Sequence, residues 1–229
     1  MLIVSEVFGP TWQGEGPSAG RVAGFVRLGR CNLACTWCDT PYTWDWSRFD
    51  PARELHERSV DSILSELDAM RVDMVVVTGG EPLLQQEIYP LAERLLAAGY
   101  TVMIETSGER DVSQLPKQVI KIVDVKCPDS GEAETFDPRN LEAVDTKDEI
   151  KFVLSTRRDY EFAREFAAQQ RLAERVNAVL FSPVFEDPER KWPGLEPRTL
   201  VEWILADGVP ARLGLQLHKF VWDPATKGV

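Results

Sequence analysis

Short apolar runs alternate with amphipathic stretches along most of this chain. Continuous runs rich in Val, Ile and Leu lie at 3–8, 23–28, 74–78, 101–105, 120–125, 150–154, 177–182 and 213–217. Most show no internal hydrophobic–polar alternation, which suits strands buried on both faces, as in a parallel sheet. Between them the apolar period lengthens. Ser59 precedes Val60, Ile63, Leu64, Leu67 and Met70, which share one helical face. Leu84, Ile88, Leu91, Ala92, Leu95 and Leu96 form a second stripe, ended by Gly99. Two further helices are expected over 157–172 and 198–205.

This β/α succession predicts an α/β fold with mostly parallel strands joined by crossovers. Two connections break the regularity. Gly108 to Val119 leaves little room for a full helix, and 127–148 is rich in Pro, Gly and acidic residues. The expected architecture is therefore an incomplete, trimmed β/α barrel forming a single domain over 1–229. Strand ends in such a barrel would carry Cys31, Thr78, Glu105, Lys126 and Ser182 to one rim, the side on which these folds place active sites.

Composition narrows the setting. The 229 residues are 44% hydrophobic, enough to build one sizeable core. No apolar run reaches the roughly 18 residues a membrane span needs. Residues 1–8 lack the basic start of a signal peptide, so a reducing cytoplasm is expected. The 37 acidic residues against 26 basic ones give a net charge of −11, a poor grip on phosphate backbones. The expected substrate is a small molecule, with no direct contact to nucleic acid.

The chemistry concentrates in one loop. Cys31, Cys35 and Cys38 fall within eight residues, and three soft thiolates at that spacing can hold three corners of a [4Fe–4S] cube, leaving one iron open. A structural zinc site would need a second Cys/His pair, which does not follow. A disulfide framework fits a long, cysteine-poor chain badly. Cys127, far away in sequence, reads as a packing residue, and His56 as solvated. The second signal is Thr78-Gly79-Gly80-Glu81-Pro82 at a strand end, where paired glycines let a ligand approach the backbone. The same string would also serve as a plain strand–helix turn with Pro82 starting the helix.

Cys31, Cys35, Trp37 and Cys38, followed by Gly79-Gly80-Glu81-Pro82, resemble the radical S-adenosylmethionine superfamily. The resemblance implies that S-adenosylmethionine chelates the open iron and is cleaved reductively to a 5′-deoxyadenosyl radical. It places Gly80 at the methionine amino group and the backbone around Trp37 and Asp39 at the adenine. Ser107 and Lys126 would help to hold ribose and carboxylate, with Ser182 as a further contact.

Motifs along the whole chain are similar to the 7-carboxy-7-deazaguanine synthase family. They are Thr11-Trp12-Gln13-Gly14-Glu15-Gly16, Cys38-Asp39-Thr40, Glu105-Thr106-Ser107-Gly108, Asp124-Val125-Lys126-Cys127-Pro128 and Gln216-Leu217-His218-Lys219. That similarity implies ring contraction of 6-carboxy-5,6,7,8-tetrahydropterin with loss of ammonia, a magnesium requirement, an external electron donor of flavodoxin or ferredoxin type, a homodimer, and a place in 7-deazapurine pathways such as queuosine biosynthesis. Trp12, Gln13 and Gly14 would face the pterin. Arg27 would take its carboxylate. Thr78 and His218 would also meet substrate, and Thr40 would bind magnesium. By residue type alone, Trp12 to Gly14 could be a Gly-rich turn, Arg27 a surface ion pair and Thr40 a turn residue. Two rival functions stay open at this level: a glycyl-radical enzyme activase, and a non-catalytic iron–sulfur electron-transfer module. The segment 45–58 has no role legible in sequence.

Overall fold

A computed structural model describes residues 1–187, 192, 194–224 and 226–228. Nine strands form one sheet: β1 (Leu2–Trp12), β2 (Val22–Leu28), β3 (His56–Arg58), β4 (Met74–Gly79), β5 (Thr101–Thr106), β6 (Ile120–Asp124), β7 (Glu149–Leu154), β8 (Ala178–Pro183) and β9 (Arg212–Leu213). Their order is β3-β1-β2-β4-β5-β6-β7-β8-β9, with β3 and β9 at the two edges. From β2 to β9 every pairing is parallel, while β1 runs antiparallel to both β2 and β3. The sheet is not closed, so the expected incomplete barrel is what the chain builds.

Four longer helices, α1 (Val60–Met70), α2 (Ile88–Ala97), α3 (Arg157–Gln169) and α4 (Pro197–Asp207), share one core with the sheet; a short α5 (His218–Val221) lies near the C-terminus. Val26, Val77, Ile104 and Phe152 from the strands pack there with Ile63, Leu67, Leu91, Tyr160 and Leu200 from the helices. Strand side chains alternate between faces, so their neighbours form a second, smaller cluster on the other side: Ala23, Phe25, Met74, Val76, Met103 and Ile122. Two residues further along, the same inward face turns polar, with Arg27, Thr78, Glu105 and Asp124. The base of the open barrel is thus apolar and its rim is charged.

Several boundaries differ from the sequence pattern. The second stripe begins at Leu84, but Pro82–Leu84 is a separate turn and α2 starts only at Ile88. The carboxylate of Glu81 accepts the Leu83 N–H and holds that turn apart. Arg171, at φ 52°, ends the third helical run early and splits off Leu172–Arg175. The strand expected over 213–217 shrinks to Arg212–Leu213. Strand β3 has no hydrophobic signal, because His56-Glu57-Arg58 is a polar edge strand, a common defence against edge-to-edge pairing. His56 is exposed there, as expected.

Two adjacent acids on the approach to β7 act differently. Asp148 is fully buried and ties two strand starts together, accepting from the Lys121 N–H at 2.9 Å and the Lys121 Nζ at 3.2 Å. The Asp145 N–H and Lys147 Nζ also donate to it. Removing it would strand the buried Lys121 ammonium, so Asp148→Ala is expected to cost about 3–5 kcal/mol in urea unfolding. Glu149, 2% exposed, lies on the inward face beneath Gly16, and its Oε2 has no hydrogen-bond partner. Burial first, then Glu105, pushes its carboxyl up to about 7. The folded chain therefore holds a proton there that the unfolded chain releases near pH 4.3, and stability falls as pH rises from there to about 7. Glu149→Gln should remove about 2.5 kcal/mol of that decline, read as the difference between unfolding free energies at pH 5 and pH 8.

Candidate active site

The polar rim opens into one cavity of about 1340 Å³. Every site residue expected from the sequence lines it: Cys31, Cys35, Cys38, Trp37, Asp39, Thr40, Gly80, Ser107, Lys126 and Ser182, together with Trp12, Gln13, Gly14, Arg27, Thr78 and His218. They come from strand ends and loops spread over the whole chain, which the parallel register carries to one side.

Gly79 and Gly80 have a structural role that the sequence pattern does not show. At Gly79, with φ +139°, a Cβ would come within 2.1 Å of the Leu28 carbonyl oxygen; at Gly80 it would meet the Arg30 oxygen at the same distance. The Gly80 N–H donates to Leu28 O and the Glu81 N–H to Arg30 O. The close approach is therefore to the chain's own backbone at the root of the cysteine loop, with Gly80 also reaching the cavity. Behind this turn the buried Glu81 collects four donors: the hydroxyls of Thr106 and Ser107 and the N–H groups of Ser107 and Leu83. Ser107 therefore spends its hydroxyl proton on Glu81.

Each cysteine sulfur has its own electropositive neighbour. The Leu33 N–H points at Cys31 Sγ at 3.5 Å, and the indole Nε1–H of Trp44 donates to Cys38 Sγ at 3.3 Å. The Lys126 ammonium stabilises the thiolate of Cys35, opposing the larger effect of burial. Burial pushes the Cys31 thiol up to about 12, so metal must displace its proton on binding. Among the described residues no three His, Cys, Asp or Glu groups converge on a single ion. Three thiolates that bind different irons of a cube need no such convergence, and their donors suit the negative charge of a thiolate-ligated cluster. This donor set fits a [4Fe–4S] group. Cys127, by contrast, is buried in the hydrophobic core, as its isolation suggested.

Around the cysteine loop the cavity is lined by a chain of charged pairs. Gln13 Nε2 donates to Glu105 Oε1 at 3.3 Å, and Thr78 Oγ1 to Glu105 Oε2 at 2.9 Å. Glu15 pairs with Lys151, which also feels Asp124 and Glu105; together they outweigh burial and keep its ammonium charged. Gln216 Nε2 bridges Glu15 and Asp39. Desolvation works against the Asp39 charge, but Lys219 and then Arg27 hold that carboxyl well below its usual range. Arg27 Nε donates to Glu6 at 2.7 Å while its guanidinium lies over Phe8. Lys126 pairs with Asp124 at 2.7 Å.

The two ends of the chain meet beside these pairs. The Leu217 N–H donates to Gly14 O, and a Cβ on Gly14 would sit 2.6 Å from His218 Nδ1. Burial lowers the imidazole's proton affinity, so His218 is neutral near pH 7. Trp12 packs edge-on against Trp222. Thr40 is half-buried and its Oγ1 lies 3.9 Å from Cys38 Sγ. Ser182 Oγ is buried with no partner, against Gly214. Sequence reasoning placed Glu105 at the rim without a role and gave none to Glu6, Glu15, Lys151, Trp44 or Gln216. For Glu105 and Lys151 a signal existed, because a charge inside a run such as Ile-Lys-Phe-Val-Leu must face a polar interior.

Comparison with known proteins agrees with this geometry. The sequence profile of the Radical SAM superfamily matches residues 26–158. The chain is 48% identical over 224 residues to 7-carboxy-7-deazaguanine synthase of Koribacter versatilis, covering 95% of this chain and 96% of that protein. It is 35% identical to the 7-carboxy-7-deazaguanine synthase of Chlorobaculum tepidum over 231 residues, covering 100% and 97%. The crystal structure of QueE from Escherichia coli superposes with a TM-score of 0.71 at 27% identity, covering 95% of this chain and 94% of that one. End-to-end similarity of this kind sets aside the activase and electron-transfer readings. The chain is a radical S-adenosylmethionine enzyme, with the [4Fe–4S] cluster and S-adenosylmethionine that this implies, and it belongs to the 7-carboxy-7-deazaguanine synthase family.

Proposed function

We propose that this protein converts 6-carboxy-5,6,7,8-tetrahydropterin to 7-carboxy-7-deazaguanine, a carbon–nitrogen lyase reaction that contracts the ring and releases ammonia. The observation that carries the reading is a single cavity lined both by the three-cysteine loop and by the Gln13–Glu105 pair, Arg27 and His218. Cys31, Cys35 and Cys38 would hold the cluster, which with S-adenosylmethionine supplies a carbon-centred radical. The remaining task of the chain is to bind, orient and exclude water.

The substrate offers a flat, hydrogen-bonding edge and a carboxylate. Gln13 and Glu105 present an amide beside a carboxylate, a donor–acceptor pattern suited to a pterin edge. Arg27 has its Nε engaged by Glu6, which fixes the plane of its fork and leaves the outer nitrogens for the substrate carboxylate. His218, being neutral, can donate from one nitrogen and accept at the other. Trp37, Asp39, Gly80, Ser107, Lys126 and Ser182 are assigned to S-adenosylmethionine, and the unpartnered Ser182 hydroxyl suits that role. Thr40 would give magnesium one oxygen, the others coming from water and substrate, as that ion usually requires.

The chain is read as one domain acting in the cytoplasm as a homodimer, reduced by a flavodoxin- or ferredoxin-type donor. No helix among the described residues is long and apolar enough to cross a membrane.

Anaerobic reconstitution followed by assay of 7-carboxy-7-deazaguanine is the test. Product formed only in the presence of S-adenosylmethionine and reductant is expected; an intact cluster that cleaves S-adenosylmethionine but yields no product refutes the substrate assignment. Arg27→Lys, which loses the planar fork, should raise the KM for the pterin by about tenfold or more, with iron content unchanged.

A further inference from the structure

The indole of Trp44 is built against the cluster loop. It follows the turn Pro41–Thr43, and its own N–H is tied back to Pro41 O at 3.1 Å, while its carbonyl accepts from the Trp46 N–H. The side chain is half-buried, lines the cavity and donates from Nε1 to Cys38 Sγ at 3.3 Å. An indole nitrogen can only donate, so this contact has one polarity. Cys31 receives a backbone N–H and Cys35 is flanked by a lysine already paired with Asp124. Among these three partners, only the Trp44 donor is a neutral side chain and can be exchanged without altering the charge or the main chain.

We propose that Trp44 sets the reduction potential of the cluster by hydrogen-bonding Cys38. Reduction adds one electron from the external donor and makes the thiolate sulfurs more negative. An N–H donor fixed on one of them stabilises the reduced state more than the oxidised state, which raises the potential. Hydrogen bonds to charged groups are stronger than neutral ones, so loss of this donor should disfavour one-electron reduction by up to about tenfold. That corresponds to about 59 mV. The inference rests on the three cysteines carrying a cluster and not on the identity of the substrate; the iron content of the parent protein checks that premise separately.

The experiment is an anaerobic dithionite titration followed by electron paramagnetic resonance, on the reconstituted full chain without substrate. Trp44→Phe removes the donor, and replacement of Trp44 by 3-benzothienylalanine removes it while keeping the bicyclic shape. Trp46→Phe, at a 41% exposed neighbour, is the control. Full iron content and a more negative midpoint in either Trp44 variant, with the control unshifted, supports the proposal. An unshifted midpoint in an iron-replete Trp44 variant overturns it. Loss of the cluster from both variants also overturns it, because Trp44 would then be holding the loop together rather than tuning it.

Discussion

Everything at this site depends on two backbones lying closer than any side chain permits. The Gly79-Gly80 turn rests directly on Leu28 and Arg30, where a Cβ would meet carbonyl oxygens at 2.1 Å. That contact joins the end of β4 to the end of β2 at the point where the cysteine loop leaves the sheet. Glu81, buried beneath it with four hydrogen-bond donors, locks the next residue of the turn to the end of β5. Three neighbouring strand ends are thereby fixed relative to one another, and a cluster held by the loop inherits their position.

The second constraint is electrostatic. An interior that carries Glu105, Asp124, Lys151 and Arg27 on one face would be costly if those charges were isolated. They are not. Lys151 answers Glu15, Lys126 answers Asp124, and Arg27 answers Glu6. The pairs leave specific atoms over, such as the outer nitrogens of Arg27, and those are the groups a ligand can use. Affinity for a polar, planar molecule follows from charges that are oriented before it arrives.

The arrangement of parallel strands, the first helix with its Ser59 cap and the cysteine loop were legible because each depends on local pattern. Ser59 does accept the Ser62 N–H. The glycine pair was visible but its reason was not, since a clash between residues 79 and 28 belongs to tertiary structure. The break between the Pro82–Leu84 turn and α2 escaped because a carboxylate hydrogen bond, not periodicity, decides it. Edge strand β3 was silent for a different reason: polar edges are chosen to lack a hydrophobic signature. Trp44 gave no sign at all, because nothing in the order of residues says that its ring turns toward Cys38.

The site combines contacts of short range in sequence with contacts of very long range. The cysteine loop, Trp44 and the Gly-Gly turn lie within one short stretch of chain, whereas Gln216 reaches Glu15 across 201 residues. Closing so long a loop costs more entropy than closing a short one, and contacts of that kind are rewarded late in folding. Gln216 and Lys219 also reach Asp39, the neighbour of Cys38, so these long-range contacts fasten the cysteine loop to the Glu15 side of the cavity.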